Sequence, residues 1–225
     1  MTPVVAVDGP SGSGKGTVSR LLARRLGWHL LDSGALYRLV AVAASRGGVP
    51  GDEVAGHVRV AEQMQVRFEV APDGGERILL GEVDVTADVR AEQTGQGASR
   101  VAAWPAVRDA LMQRQRDFAR DPGLIADGRD MGTVVFPDAP LKIFLTASAD
   151  ERARRRYNQL KDKGSAGSLA ALSREIAERD LRDSTRSVAP LRPASDAFVV
   201  DSTGMPVEAV VERVIELGRA RALWR

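Results

Sequence analysis

The sequence contains no cysteine and only two histidines, His29 and His57. Without cysteine, disulfides, thiolate zinc sites and cysteine nucleophiles are excluded, and two histidines are too few for most histidine-based metal sites. We expect His29 to be a satisfied core or strand-end histidine and His57 to lie at the surface. The sequence also has no Gly-x-Ser-x-Gly motif and no suggestive Ser, His and Asp spacing, which argues against hydrolytic nucleophile chemistry.

Long apolar runs are missing as well. No run approaches the roughly 18 residues that a membrane helix needs, and residues 1–4 lack the basic stretch that opens a secretory signal. We therefore expect a cytoplasmic protein with no membrane partner. The hydrophobic fraction of 44% and the charged fraction of 28% are near the globular average, and 225 residues suffice for an α/β core with a small inserted domain. We expect this protein to be a monomer.

Positive charge is concentrated in the last third of the chain. The formal net charge is only +2, but residues 151–192 contain eleven Lys or Arg and six Asp or Glu. Such a patch attracts the phosphates of nucleic acids or of nucleotides, or is merely a solvated face. The arginines alternate with acidic residues and few aromatics lie between them, unlike a groove that follows a nucleic-acid backbone. We keep a nucleotide-gated nucleic-acid binder as an alternative and expect no nucleic-acid partner.

The hydrophobic pattern predicts an α/β fold with a five-stranded parallel sheet. Most of the strand-like runs border segments with helical periodicity, which is typical of parallel sheets. The predicted strands are residues 4–7, 28–31, 124–127, 141–145 and 197–200. Between the second and third of these, residues 66–70 alternate strictly, a turn is predicted at 73–75, and further runs follow at 78–80 and 83–85. This pattern predicts an antiparallel meander, inserted as a subdomain.

Two charged helices flank a Gly/Ser-rich segment at residues 163–168, and together they could move as a lid. The first is opened by Ser148 and Glu151, a capping box, and carries Arg152, Arg154, Arg155 and Arg156. The second has an apolar stripe of Leu169, Leu172 and Ile176, and helical geometry continues this stripe through Arg179, Asp180, Asp183 and Arg186. Charges on an inward face must be paired or contact a ligand. The pattern leaves both an internal ion-pair ladder and a ligand site open.

A glycine-rich segment between the first strand and the first helix has the context of a phosphate-binding P-loop. Its residues are Gly9, Pro10, Ser11, Gly12, Ser13, Gly14, Lys15, Gly16 and Thr17. Backbone N–H groups of such a loop surround phosphate oxygens, Lys15 would lie near the β- and γ-phosphates, and Thr17 would hold magnesium directly or through water. The alternative is a plain turn with a solvent lysine. Gly16 stands where the strict pattern has Ser or Thr, which favours small-metabolite kinases.

Polar residues at two other strand ends are further candidates. Asp127 ends the third predicted strand, where ligands of open α/β sheets bind, and it could orient magnesium or its water, or else cap a following helix. Ser33, Tyr37 and Arg38 follow the second strand. An aromatic ring can stack on a base while a guanidinium binds phosphate. Tyr37 could instead be a core residue with a satisfied hydroxyl.

Four segments together resemble one known family. They are residues 8–17 (DGPSGSGKGT), 31–38 (LDSGALYR), 127–137 (DGRDMGTVVFP) and 178–186 (ERDLRDSTR). The P-loop alone is shared by many NTPases, but the other three motifs make the chain similar to the bacterial cytidylate kinases, over nearly its whole length. The resemblance implies a three-layer P-loop fold, an inserted monophosphate-binding subdomain and a helical lid. It also implies magnesium-assisted transfer of the ATP γ-phosphoryl group to CMP or dCMP without a covalent intermediate.

The resemblance also implies roles for individual residues. Catalytic roles fall to Lys15, Asp127, Arg129 and Arg186. Of the CMP-binding residues, Ser99, Arg108 and Asp130 would read the cytosine edge, Tyr37 would pack on the base, Ser33, Arg179 and Asp183 would lie near the sugar, and Arg38, Arg129 and Arg186 near the phosphate. The implied division is core at 1–35, 106–147 and 188–225, the monophosphate-binding subdomain at 36–105 and the lid at 148–187. A P-loop kinase for UMP, AMP or a small hydroxy acid remains the main rival, and only the base-edge residues argue against it.

Overall fold

The computed structural model describes residues 2–70, 76–162 and 168–224, and these divide into two compact units. The first unit comprises Met1–Asp32 and Gln115–Arg225, and the second comprises Ser33–Arg114. The predicted turn at 73–75 and most of the Gly/Ser segment, residues 163–167, lie outside the described residues. In the part of the chain that the structure describes, no helix is long and apolar enough to cross a bilayer.

The strands and helices follow in chain order. The strands are β1 (Val4–Asp8), β2 (His29–Asp32), β3 (Val66–Val70), β4 (Glu76–Leu80), β5 (Val83–Asp84), β6 (Leu124–Gly128), β7 (Leu141–Thr146) and β8 (Phe198–Asp201). The helices are α1 (Lys15–Leu26), α2 (Ser33–Arg46), α3 (Val54–Gln63), α4 (Thr86–Arg90), α5 (Glu92–Val101), α6 (Pro105–Arg116), α7 (Ala149–Asp162), α8 (Leu169–Thr185) and α9 (Val207–Arg219). A π-helical turn, Met131–Val135, follows β6.

The first unit contains a five-stranded sheet in the order β2-β6-β1-β7-β8. Every neighbouring pair in it is parallel. Helices cover both faces of a parallel sheet, and every residue of the central strands β1 and β6 is buried, whereas the edge strands β2 and β8 are partly exposed. The predicted parallel sheet is therefore confirmed, and each of its strands begins and ends within one residue of the prediction.

The core of this unit lies between the sheet and helices α1 and α9. Leu22 of α1 and Val214 of α9 are fully buried in one cluster with Val7 and Ile143 of the sheet. Helix α1 ends at Gly27, whose φ of 65° is in the left-handed region that glycine adopts without strain. The central strand β1 thus leads into a helix that is fixed by packing over its length.

The second unit contains a three-stranded antiparallel sheet in the order β3-β4-β5. Ile78 of β4 is fully buried, and Val66 pairs with Leu80 across the two longer strands. Helices α2 and α5 pack so closely that a Cβ at Gly97 would lie 3.3 Å from the Cβ of Ala41. The predicted meander is confirmed.

Two expectations about buried positions are wrong. His57 is not at the surface: it is buried, its ring lies 5.0 Å from that of Trp104, and its Nδ1 lies 2.8 Å from the Glu53 carbonyl oxygen. His57 and Ala61 are four residues apart and lie on the same inward face of α3. A single histidine in the sequence does not indicate that this face is buried. Leu169, predicted on the inward stripe of α8, is 48% exposed because it begins the helix. His29 begins β2 as expected, with Nε2 2.9 Å from the Asp121 carbonyl oxygen.

The burial of Leu22 in the core of the first unit predicts that the same substitution, leucine to alanine, lowers the free energy of unfolding far more there than at an exposed position. Leu22→Ala removes a fully buried side chain and should lower the free energy of unfolding by about 3 kcal/mol. Leu181→Ala on α8, where the side chain is 64% exposed, should change it by less than about 0.5 kcal/mol. Urea denaturation followed by circular dichroism measures both. Equal effects of the two substitutions would contradict this description of the core.

Candidate active site

The predicted P-loop connects β1 to α1 and bends at three glycines. Gly9, Gly12 and Gly14 have φ values of 156°, 76° and 90°. Gly9 has a second constraint, because a Cβ there would lie 2.0 Å from the backbone carbonyl oxygen of Leu145 in β7. Gly14 is the N-cap of α1, so no side chain of the N-cap residue caps the first turn of this helix. The first turn of α1 therefore presents its positive end to the loop, which is the arrangement that binds phosphate.

Lys15 is a buried cation inside this loop. Its side chain is nearly inaccessible, and Nζ donates a hydrogen bond to the carbonyl oxygen of Pro10 at 3.1 Å. Burial and the charge of Arg129 lower the pKa of Lys15, and Asp127 opposes them only in part. A buried ammonium is stabilised by a nearby anion. The loop thus holds a positive charge that phosphate would neutralise.

Asp127 lies in β6, next to β1 in the sheet. Burial raises the pKa of this carboxyl, and Asp32 adds to the effect, whereas Lys15 lowers it. The Oδ1 atom is buried without a hydrogen-bond partner among the described residues. Oδ2 lies 3.2 Å from where a Cβ at Gly16 would stand. The departure from the strict P-loop pattern has a physical reason here, since a Ser or Thr side chain at position 16 would crowd this carboxylate.

The oxygen atoms near the loop fit a hard divalent cation such as magnesium. Asp127 has the buried oxygen without a hydrogen-bond partner among the described residues, and the Thr17 hydroxyl, two residues after Lys15, accepts a hydrogen bond from Arg20 Nη2 at 3.5 Å. In the described ranges no group of three or more His, Cys, Asp or Glu side chains could hold a metal ion. Mg²⁺ is commonly bound by one or two protein oxygens together with substrate phosphates and waters. The residues present suit that mode of binding rather than an all-protein cage.

A cluster of arginines surrounds Asp183 of α8. Arg129, which follows β6, donates from Nε to Asp183 Oδ2 at 3.0 Å, and the side chain of Asp183 is 6% exposed. Burial acts to raise the pKa of Asp183, but the charges of Arg129, Arg179 and Arg186 outweigh it and hold this pKa below its usual range. Three guanidinium groups thus lie close to one buried carboxylate, and a concentration of positive charge of this kind attracts anions.

The ion pairs of α8 link it to other elements of the first unit. Asp183 pairs with Arg129, and Asp180 pairs with Arg152 of α7. The ladder alternative, in which the charges of α8 pair within the helix, therefore accounts for only part of the arrangement. What the sequence pattern could not predict is the identity of the partners, because these are set by the packing of α7 and α8.

Asp130 is buried at the start of the π-helical turn that follows β6. The backbone here is held by Asp8, whose two carboxylate oxygens accept hydrogen bonds from the amides of Met131 and Gly132, each at 2.8 Å. Burial raises the pKa of Asp8 to about 7, and the two amides oppose this rise. Sequence reasoning did not single out Asp8. The signal for it was an acidic residue directly between a buried strand and the first glycine of the loop.

Two arginines of α7, to which the sequence analysis assigns no individual role, contact backbone carbonyls of the P-loop. Arg152 Nη1 donates to the Ser11 carbonyl oxygen at 3.1 Å, and Arg155 Nη1 donates to that of Ser13 at 3.2 Å. Ser202, after β8, also donates from its hydroxyl to the Ser13 carbonyl at 3.2 Å. These donors hold the loop from outside, so that its amides face the opposite way.

A cavity of about 340 Å³ opens beside the loop. Its walls include Gly12, Thr17, Arg155, Asn158, Gln159 and Val210. Polar groups of α7 and apolar groups at the start of α9 therefore face a common space next to the phosphate loop. This combination of apolar wall and convergent polar groups is typical of a small-molecule site.

The predicted site residues of the second unit lie on three of its helices. Ser33 begins α2, and Tyr37, one turn later, is buried. The guanidinium of Arg108, in α6, lies 5.7 Å from the centre of the Tyr37 ring, within cation-π range. Tyr37 is thus buried in its unit and a neighbour of Arg108.

Arg38 and Ser99 differ in how they are bonded. Arg38 Nη1 donates to the carbonyl oxygens of Val89 and Ala91 at 2.9 and 2.8 Å, which fixes its guanidinium against the end of α4. The hydroxyl of Ser99, on α5, is buried without a hydrogen-bond partner in the described part of the chain. Buried polar atoms are normally satisfied, and an exception marks a place where a ligand can supply the partner.

The predicted residues therefore form two sets. Within the first unit, the structure brings together the P-loop, Lys15, Asp127 and the arginine cluster with Asp183, and it places Asp130 on the turn after β6. Within the second unit, it brings together Tyr37 and Arg108. Ser33, Arg38 and Ser99 belong to that same unit.

Comparison with known proteins agrees with this arrangement. The sequence model of one family, described as cytidylate kinase, matches residues 5–220. A curated cytidylate kinase from Pseudomonas paraeruginosa is 64% identical over 214 residues, covering 95% of this chain and 93% of that protein. One from Pseudomonas fluorescens is 60% identical with the same coverage. Among solved structures, an uncharacterized protein from Eubacterium ventriosum is similar with a TM-score of 0.53 at 13% identity, covering 98% of this chain and 99% of that one, a likeness of fold alone.

The contact at Gly9 predicts a specific loss of loop function. Gly9→Ala would place a Cβ 2.0 Å from the Leu145 carbonyl oxygen, so the loop must move, and we expect ATP affinity to fall at least about a hundredfold. Gly27→Ala is the matched control: its φ is also positive, but no atom lies within 4 Å of the added Cβ. It should cost about 1 kcal/mol of stability and leave ATP affinity unchanged. Calorimetric titration with ATP distinguishes the two, and similar affinities of both variants would refute the proposed constraint.

Proposed function

The chain belongs to the cytidylate kinase family, and we propose that it transfers the γ-phosphoryl group of ATP to the α-phosphate of CMP or dCMP, giving ADP and CDP or dCDP. The observation that carries this proposal is the arrangement of cations in the first unit. Lys15 lies buried in the P-loop, and Arg129, Arg179 and Arg186 surround Asp183. A phosphate donor and a phosphate acceptor carry the negative charge that this group of cations would bind.

The proposed reaction is a direct in-line transfer. A loose phosphoryl transition state distributes negative charge over three equatorial oxygens, so that fixed cations stabilise it without a covalent intermediate. We assign Lys15 to the ATP phosphates and Arg129 and Arg186 to the transferring group or the CMP phosphate. Arg129 suits this role because its bond to Asp183 uses Nε, which orients the guanidinium. A bidentate phosphate contact needs such orientation.

Magnesium is the proposed cofactor, held by Asp127 and Thr17 directly or through water. The buried, unpartnered Oδ1 of Asp127 supports this assignment. When bound, the ion would neutralise charge on the ATP phosphates. The chain's own contribution is to hold a carboxylate near Lys15. The two opposite charges lower the cost of burying each other.

We propose that the cytosine edge is read by Asp130, Ser99 and Arg108. A carboxylate accepts from the exocyclic amine of cytosine, whereas the corresponding oxygen of uracil offers no donor and would leave Asp130 unpaired. Tyr37 would pack against the base, and Ser33, Arg179 and Asp183 would bind the sugar. Arg38 would bind the monophosphate, with one of its nitrogens already fixed by the Val89 and Ala91 carbonyls.

In our proposal three parts of the chain divide this work, with bounds that differ from those of the two compact units: residues 106–114 are assigned to the core, although they belong to the second unit. Residues 36–105 form the monophosphate-binding subdomain, residues 1–35, 106–147 and 188–225 the core, and residues 148–187 the lid. The bonds of Arg152 and Arg155 to the Ser11 and Ser13 carbonyls support a role for α7 at the ATP site, since they connect this helix to the phosphate loop. We expect a monomer in the cytoplasm.

The direct test is ADP production from ATP and magnesium with CMP, dCMP, UMP, AMP and shikimate as acceptors. We expect strong turnover only with the cytidine nucleotides, and a loss of at least about a thousandfold in Lys15→Ala because the buried cation is removed. Strong turnover with another acceptor would retain a P-loop kinase and refute the cytosine site. ATP hydrolysis that ignores every acceptor would refute phosphoryl transfer to a metabolite.

The base-reading assignment makes a separate prediction. Asp130→Ala should lower kcat/KM for CMP by about a hundredfold and change that for UMP far less, because only cytosine donates to this carboxylate. Asp138→Ala, an exposed acid in the segment after the same turn, is the matched control and should leave both values unchanged. An equal loss on every acceptor in Asp130→Ala would show that Asp130 does not read the base.

The metal assignment is tested by titration with magnesium. In Asp127→Asn the free Mg²⁺ concentration for half-maximal ADP production should rise about tenfold or more, because an amide binds the ion more weakly than a carboxylate. Asp150→Asn, at an exposed position in α7, should behave as the unsubstituted protein. A fall in the maximal rate of Asp127→Asn with an unchanged magnesium requirement would contradict a role in metal binding.

A further inference from the structure

Asp8 makes a structural connection that the proposed mechanism does not use. It is the last residue of β1 and directly precedes Gly9 of the P-loop. Its side chain reaches across to the turn after β6, where Oδ1 accepts from the Met131 amide and Oδ2 from the Gly132 amide, both at 2.8 Å. Each oxygen therefore has its own backbone donor, a geometry that a carboxylate supplies and an amide side chain cannot.

The two amides belong to the residues that directly follow Asp130. The peptide group that joins Asp130 to Met131 is also held at its carbonyl end, since the Asp130 carbonyl oxygen accepts from the amides of Val134 and Val135 at 2.9 and 3.2 Å. The N–H and the C=O of this peptide group therefore both have hydrogen-bond partners. The side chain of Asp130 is buried, so a small shift of this backbone would move the carboxylate that we assign to the cytosine edge.

Gly132 brings the turn close to Asp8. A Cβ at this position would lie 3.1 Å from Lys142 Cδ and 3.5 Å from Asp8 Oδ2. The close approach of the Gly132 amide to the carboxylate therefore depends on the absence of a side chain. A Cβ would be in ordinary contact with the carboxylate, and the Lys142 stem or the turn would have to give by a few tenths of an ångström to admit it.

Burying the charged carboxylate of Asp8 has an electrostatic cost. Burial raises its pKa to about 7, and the nearby carboxylates Asp130 and Asp127 raise it further, so the charged form is disfavoured except for its two amide donors. A neutral residue would avoid this cost. The hydrogen bonds to the turn are what a carboxylate provides at this position.

We propose that Asp8 is a positioning residue for Asp130: by holding the Met131 and Gly132 amides it fixes the carboxylate that selects cytosine, and it ties this selection to the strand that leads into the P-loop. The inference rests on the proposed function of Asp130. It assigns to Asp8 no contact with either nucleotide. Its effect should therefore be on acceptor selectivity, not on ATP affinity.

The first test is Asp8→Asn, assayed at pH 8, where the native carboxyl is ionised. The asparagine has one acceptor oxygen and turns an NH₂ group toward the other amide, so one bond is lost. We expect the ratio of kcat/KM for CMP to that for UMP to fall at least about tenfold, mainly through the KM for CMP. The Kd for ATP should stay within about twofold. Asp138→Asn, at an exposed position, should leave the ratio and the Kd unchanged.

The same substitution in the Asp130→Ala background identifies the residue through which Asp8 acts. If Asp8 positions Asp130, its substitution should leave the already lowered ratio of the Asp130→Ala variant unchanged, because contacting residues in one network are not additive. A further fall of the same size in that background would overturn the proposal. So would an unchanged ratio in Asp8→Asn alone, or a loss of ATP affinity as large as the loss for CMP.

Gly132→Ala tests the same bond from the other side and keeps the proposal testable if Asp8→Asn does not fold. It leaves the P-loop sequence intact, and it should lower the CMP to UMP ratio with an unchanged Kd for ATP; an unchanged ratio would overturn the proposal. The outcomes separate the two assignments. If Asp130→Ala lowers the ratio and the Asp8 and Gly132 variants do not, only the positioning role fails. If Asp130→Ala leaves the ratio unchanged, the base-reading role fails and the inference fails with it.

Discussion

The position of β1 in the middle of the parallel sheet is the constraint on which the first unit depends. Its neighbours are β6 and β7, so the end of β1 lies between the ends of both. The P-loop begins there, with Gly9 against the Leu145 carbonyl of β7. On the β6 side, Val7 pairs with Asp127. The carboxyl ends of parallel strands meet at one edge of a sheet. The P-loop after β1, the Asp127 carboxylate of β6 and the turn after β6 are therefore neighbours at this edge.

This same edge explains what could be predicted from the sequence. Five apolar runs predicted the strands to within one residue, and for the central strands β1 and β6 the reason is that a parallel strand buried on both faces has little choice of composition. The P-loop was predictable for a similar reason, because its backbone conformations require glycine and other residues rarely adopt them. Where the local backbone conformation or burial determines the residue type, the sequence alone is sufficient to predict the structure of that segment.

Other features depend on contacts between distant parts of the chain and escaped prediction. Asp8 binds amides more than 120 residues away, and nothing near it in the sequence indicates a partner. Arg152 was one of several similar arginines, and only the packing of α7 selects it to bond to the Ser11 carbonyl and to Asp180. His57 was assigned to the surface because a lone histidine carries no periodicity, although Trp104 covers it. In each case the missing information is tertiary.

The charged groups of the first unit lie close to one another. Lys15 is near Arg129 and Asp127, and Asp183 is near Arg129, Arg179 and Arg186. Burial lowers the pKa of Lys15, and the charge of Arg129 lowers it further. The oxygens of a bound phosphate would favour the charged form of this lysine. A ligand that binds only the folded state also stabilises it by mass action. Lys15 and the nearby arginines would therefore have two effects: they would stabilise the transferring phosphoryl group, and by binding nucleotides they would stabilise the folded protein.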